Sequence, residues 1–145
     1  MKKTIFLCLF IILSIASKNL NAQCGEALLD ICHGKLGDTR FLKSFPVQLE
    51  AQKAGSSLPV SRFNMVFNSG TTYKIFACNA NELPGKVIIS LYHQDRLMGT
   101  TYLVDQKRHL PHIQFNCNMS GVYHIDLYFE DGNQGCAMGI VSSVK

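Results

Sequence analysis

From residue 45 onward, apolar and polar side chains alternate with a period of two. Phe63, Met65 and Phe67 share one phase against Arg62 and Asn64. Tyr73, Ile75 and Ala77 stand against Lys74, and Tyr123, Ile125, Leu127 and Phe129 against His124 and Asp126. Successive side chains of an extended chain point to opposite faces, so this pattern predicts strands with one buried and one wet side. Eight such runs stand out, at 47–51, 60–67, 71–78, 86–93, 97–104, 112–117, 122–130 and 135–144. Between them, Asn68-Ser69-Gly70, Leu83-Pro84-Gly85, Gln94-Asp95 and Asp131-Gly132-Asn133 supply residues that accept positive φ or preset a bend. Upstream the period changes: Leu28, Ile31 and Cys32 recur at helical spacing, with Gly37 as a stop, which predicts a helix over 24–36. The fold class expected is therefore all-β, an eight-stranded antiparallel jelly-roll-like β-sandwich over 45–145. A helical, Cys-bearing segment over 23–44 packs on it, and residues 23–145 form one domain.

The first 22 residues follow a different logic. Met1–Lys3 is basic, residues 5–15 (IFLCLFIILSI) are apolar without a break, and a polar stretch then leads to Ala22. Charged, apolar, then small is the order of a secretory signal peptide, and the apolar run is short of the roughly 20 residues needed to span a bilayer. Cleavage is expected after Ala22, with Ala16 as a second candidate. A lipid-modified Cys24 is not expected, because Gln23 and Asn21 stand where a small residue and a Leu are needed. The expected location is secreted or periplasmic, with no membrane insertion after cleavage.

Removing the leader changes the charge balance. Lys2, Lys3 and Lys18 leave with it, so 14 basic residues become 11 against 10 acidic ones, a net of +1. A nearly neutral body lacks the concentrated basic surface that nucleic acid requires.

Cleavage also removes Cys8 and leaves Cys24, Cys32, Cys78, Cys117 and Cys136. In an exported chain these are disulfide candidates first, and their odd number leaves at least one thiol free or paired between chains. No CxxC is present, and Cys32-His33 cannot chelate one ion from adjacent helical positions. On a helix, Cys24 and Cys32 would lie about 12 Å apart along the axis, too far for a disulfide whose Cα atoms must lie within about 7 Å. Any bond from either must reach the sandwich. If successive strands simply reverse direction, Cys78 and Cys136 fall at the same end of it. The expected pairing is Cys78–Cys136, with Cys117 going to Cys24 or Cys32.

Two segments carry a resemblance. Ser69-Gly70-Thr71-Thr72-Tyr73 is a glycine turn entering a strand, followed by Ile88-Ile89-Ser90-Leu91-Tyr92. Ser120-Gly121-Val122-Tyr123-His124-Ile125 is followed by a hairpin and the last strand. This order resembles the bacterial pre-peptidase C-terminal domain and its eukaryotic relative, the GOLD domain, over roughly residues 60–145. The resemblance implies a jelly-roll sandwich and a non-catalytic module that accompanies secreted hydrolases or mediates protein contacts. The chain is expected to depart from that pattern in lacking an attached enzyme domain, and it adds the N-terminal segment and has more cysteines. The leader followed by Asn-Ala-Gln also looks like small exported proteins of Bacteroidetes-type bacteria.

Chemistry is sparse. There is no G-x-S-x-G, H-E-x-x-H or P-loop. His109 and His112 are the one close histidine pair, but Pro111 disfavours a helix there, and in an extended chain they face opposite ways. Glu130-Asp131-Gly132-Asn133 offers too few oxygens for calcium and reads as a hairpin turn. Lys107-Arg108-His109 is a small basic spot on a solvated turn, and Asn118-Met119-Ser120 matches a glycosylation pattern without further support. No catalytic residue, metal or cofactor is expected. Most aromatic residues take inward phases. Tyr92, Tyr102 and Tyr128 take the other phase and are the candidate binding patch.

The expected function is an exported, disulfide-stabilised, non-catalytic module that binds a protein or glycan of the cell envelope or exterior. The alternatives are a structural envelope or matrix component, as a disulfide-linked dimer, or a thiol-active protein using an unpaired Cys, with Cys32 beside His33 as its candidate.

Overall fold

A computed structural model describes residues 24–145. The expected leader at 1–22 and its Cys8 lie outside the described residues. The chain begins with a helix, α1 (Glu26–His33), and continues into β1 (Thr39–Leu49), β2 (Ser61–Phe67), β3 (Thr72–Asn79), β4 (Val87–His93) and β5 (Arg96–Thr100). A short ribbon of β6 (Tyr102–Leu103) and β7 (Arg108–His109) follows, then β8 (Ile113–Asn116), β9 (Gly121–Phe129) and β10 (Gly135–Val144). One four-stranded sheet has the order β1-β10-β3-β8 and the other β2-β9-β4-β5. All pairs in both are antiparallel. Long connections carry the chain back and forth between the two layers, and the architecture is the expected jelly-roll sandwich with one short helix.

The period-two pattern sets the core. Phe45, Val47, Phe67, Tyr73, Ile75, Ile89, Leu91, Phe115, Tyr123, Ile125, Leu127 and Phe129 meet between the sheets. Each large apolar side chain buried there contributes about 1.5–3 kcal/mol relative to exposure. Phe67 stacks on Tyr73 at 4.0 Å and on Tyr123 at 5.1 Å between ring centroids. The two tyrosines have matching second tasks. The Tyr73 hydroxyl accepts the Asn68 N–H at 2.9 Å, and the Tyr123 hydroxyl donates to the Met119 carbonyl at 2.8 Å. Each thus ties its strand to a nearby turn, while Gly70, at φ +82°, makes a conformation that a side chain would strain.

α1 packs on the outer face of the first sheet and forms a second, smaller core. Leu28 and Cys32 meet Phe76, Cys78, Ala80, Cys136, Met138 and Ile140. This explains why β10 is buried along nearly its whole length: one face looks into the sandwich and the other lies under the helix.

Several boundaries differ from the sequence reading. α1 ends at His33, with Gly34 as its cap, instead of running to 36. The chain then enters β1 at Thr39, well before residue 47, because its polar first half pairs with the end of β10, Thr39 opposite Val144. A register shift between Phe41 and Lys43 hides the alternation there. The run 97–104 breaks after Thr100. The Thr101 N–H donates to the Ile89 carbonyl, its hydroxyl accepts the Ile89 N–H, and its carbonyl accepts from Leu110, so the chain turns out into the ribbon.

The cysteine pairing is corrected. Cys24 joins Cys136 (Cα–Cα 5.6 Å) and Cys32 joins Cys78 (5.8 Å), while Cys117 is free and buried. Cys24 and Cys32 do avoid each other, and Cys78 and Cys136 do lie at one end of the sheet. Yet Cys78 stands opposite Met138 across the ladder, not opposite Cys136. Both of these cysteines sit in the outer cluster beneath α1, and each takes a partner from the N-terminal segment, Cys32 within α1 and Cys24 just ahead of it. Cys117 belongs to the inner core, with the sheet between it and the helix. Its thiol donates to the Met119 carbonyl at 3.2 Å. Cys32 is therefore no reactive thiol beside His33, and Cys117, only 2% exposed, offers no surface for a link between chains.

Candidate functional site

The outer face of the second sheet is polar and ordered. Arg62, Asp126, Ser90 and Thr100 align across β2, β9, β4 and β5. Arg62 grips Asp126 with two hydrogen bonds of 2.7 Å, a bidentate pairing on a carboxylate group that the sheet nearly buries. The next row is Asn64, His124 and Tyr92, with His124 Nδ1 2.6 Å from Asn64 Oδ1. Tyr92 lies here, with the Arg62 guanidinium over its ring at 5.8 Å. Tyr128 lies on the same face but opposite Ile88, four residues back along β4.

Tyr128 opens onto a pocket of about 460 Å³ at the end of this face. Three irregular segments build its walls against the sheet. The 50–60 loop supplies Gln52 and Leu58, the ribbon supplies Tyr102 and Val104, and the turn after β9 supplies Glu130, Asp131 and Gly132. The loop is fastened at one point: the Gln52 N–H donates to the Gly132 carbonyl at 2.8 Å, and Gln52 Nε2 donates to the Ser56 carbonyl at 2.7 Å. Gly132 is required at this contact, since it has φ +65° and a β-carbon there would stand 2.6 Å from Gln52 Oε1.

Glu130 is the best-held polar group in the pocket. The His109 Nε2–H donates to Glu130 Oε2 at 3.0 Å. That bond, with help from Tyr102, His109 and Lys86, lowers the Glu130 pKa against the opposing effect of burial. Tyr102 moves the other way: its hydrogen bond to Glu130, then desolvation and the Glu130 and Asp131 charges, raise its pKa. The Tyr102 and His109 rings, opposite one another in the ribbon, lie 4.7 Å apart. The result is a fixed carboxylate flanked by two half-buried tyrosines, with Leu58 and the largely exposed Val104 as an apolar rim.

The structure thus brings Tyr102 and Tyr128 to one pocket and places Tyr92 further along the face. Sequence reasoning missed Leu58, Gln52, Val104 and Glu130 as site residues. Glu130 was readable only as a turn residue, because its partner His109 belongs to a ribbon that the strand pattern did not predict. Among the described residues, no three His, Cys, Asp or Glu side chains gather to hold a metal ion, and no helix is long and apolar enough to cross a membrane.

No protein-family model and no curated protein matches the chain. Among solved structures, the chain is similar to the pre-peptidase C-terminal domain of a collagenase from Bacillus anthracis, at 16% identity and a TM-score of 0.47, covering 68% of this chain and 87% of that one.

Proposed function

We propose that the protein is an exported binding module that takes a glycan in the Tyr102–Tyr128 pocket and performs no chemistry on it. The observation that carries this reading is the Glu130 carboxyl group, fixed by His109 between two tyrosines in a pocket of about 460 Å³. Sugars present apolar C–H faces and a rim of hydroxyls. Tyrosine rings fit the faces, and a carboxylate held without a proton accepts from the hydroxyls. A glycosidase would need one carboxyl group with a raised pKa to protonate the leaving oxygen. Glu130 is shifted in the opposite direction, so it is not suited to be that acid. Two disulfides support passage through an oxidising compartment, in keeping with the leader-like residues 1–22 and a secreted or periplasmic location.

Calorimetric titration against a panel of neutral and acidic oligosaccharides tests the reading. The expected outcome is saturable binding of at least one glycan, weakened about tenfold or more by Tyr102→Ala and by Tyr128→Ala. Binding that ignores both substitutions, or capture of a protein partner at this pocket in place of any sugar, overturns it.

A further inference from the structure

A second cleft, of about 470 Å³, opens beside His109 of the ribbon, and its lining is cationic. Lys35, Lys74, Lys86, His109 and His112 line it, and no carboxylate does. Glu130, the acidic partner of His109, lines the other pocket and is engaged by His109 and Tyr102.

The cleft has a definite origin in the chain. β3 pairs with β8 only as far as Ile75 opposite Ile113. Continuing that register would set Pro111 opposite Ala77, and proline has no N–H to give the ladder. Pairing stops, residues 109–112 bend away, and the stretch from Phe76 to Asn79 keeps β10 on one edge and faces the cleft on the other. Alternate residues of this stretch turn their backbone N–H and C=O groups into the opening.

Lys74 is already set in place for a ligand. Its ammonium donates to the Lys35 carbonyl at 3.1 Å and the Leu36 carbonyl at 3.3 Å, just past the end of α1, and lies 5.1 Å from the centroid of the Phe76 ring. A lysine ammonium has three donors, so one remains for the cleft. Its side-chain entropy has been lost in folding, not left for binding to remove.

We propose that this cleft binds an oxyanion group, a carboxylate, sulfate or phosphate carried by an anionic ligand, with Lys74 as the fixed cation and Lys35, Lys86, His109 and His112 around it. The cleft is distinct from the glycan pocket and meets it at the Tyr102–His109 ring pair, where His109 lines the cleft while its Nε2 holds Glu130 of the pocket.

NMR titration of the native, disulfide-intact protein at low ionic strength tests this, using inorganic sulfate, inorganic phosphate, glucuronate and phosphatidylglycerol vesicles as separate probes. Saturable shifts at His109, His112 and the Phe76–Asn79 amides are expected from at least one probe, weakening as salt is added. The strongest probe identifies the source as free ion, acidic sugar or lipid headgroup. Lys86→Gln, on an exposed loop, should weaken binding about threefold, and Lys35→Gln/Lys86→Gln about tenfold. Lys74→Gln should abolish it, and the loop variants carry the test if that substitution disturbs α1. Shifts that never saturate, that spread equally over Lys53 and Lys107, or that survive the double substitution overturn the proposal, whatever the glycan pocket does.

Discussion

Glu130 shows how a single side chain joins stability to function. Its folded pKa lies below the ordinary carboxylate value, so the stabilisation from His109 and Tyr102 is present above the unfolded pKa of about 4.3. It is lost as pH falls through the lower folded value. Glu130→Gln should therefore flatten the acid limb of the stability-against-pH curve, measured by urea unfolding between pH 6 and pH 2 (roughly, the range over which carboxylates titrate). Unchanged curves would mean that the His109 contact contributes nothing. At Gly135 the constraint is steric. A β-carbon there would overlap the Phe129 ring, and at Gly85 one would stand 2.7 Å from the Gln134 carbonyl. Both glycines leave room for that ring at the end of the core. Gly135→Ala should cost about 1–3 kcal/mol in chemical unfolding, as overpacking does. Cys117 should resist alkylation in the native protein and react once the chain is unfolded, since its sulfur is enclosed by Met119 and Tyr123.

Among the elements, α1 depends most on its context. Eight residues are too few for an isolated helix to hold in water. The helix persists because Leu28 and Cys32 are buried, because Cys32 is bonded to Cys78 on β3, and because Cys24, just ahead of the helix, is bonded to Cys136 on β10. The bonds close long loops, with sequence separations of 112 and 46 residues, which restrict the unfolded chain strongly. Replacing Cys32 and Cys78 together by alanine should cost about 2–5 kcal/mol and raise hydrogen-exchange rates across α1 more than across β9. The ribbon is the other distinctive element. Two residues on each strand place Tyr102 toward one pocket and His109 toward the other, so a small irregular insertion between β5 and β8 shapes both clefts.

Across the molecule, the parts of the fold legible in the sequence are those governed by local alternation. β9 and β10 match their predicted runs closely, because each presents a regular apolar phase bounded by glycine turns. The first half of β1 was illegible, since it is an exposed stretch whose partner is the far end of the chain. That disulfides form was legible, but neither the pairs nor the free thiol was, since Cys117, expected to bond, is free. Spacing showed that Cys24 and Cys32 cannot join, but the partners depend on which face of the sheet the helix covers, and that is a tertiary fact. Of the candidate patch, Tyr102 and Tyr128 share a pocket while Tyr92 stands apart. The remainder of the pocket comes from loops that carry no periodic signal.

The central claim, that this sandwich holds a sugar at Tyr102 and Tyr128 and leaves it unchanged, is tested most directly by following protein and ligand together by NMR. With a glycan that binds, the ring signals of Tyr102 and Tyr128 should shift saturably while the saccharide spectrum stays intact through prolonged incubation. New reducing-end signals, or shifts centred away from these two rings, would contradict the account.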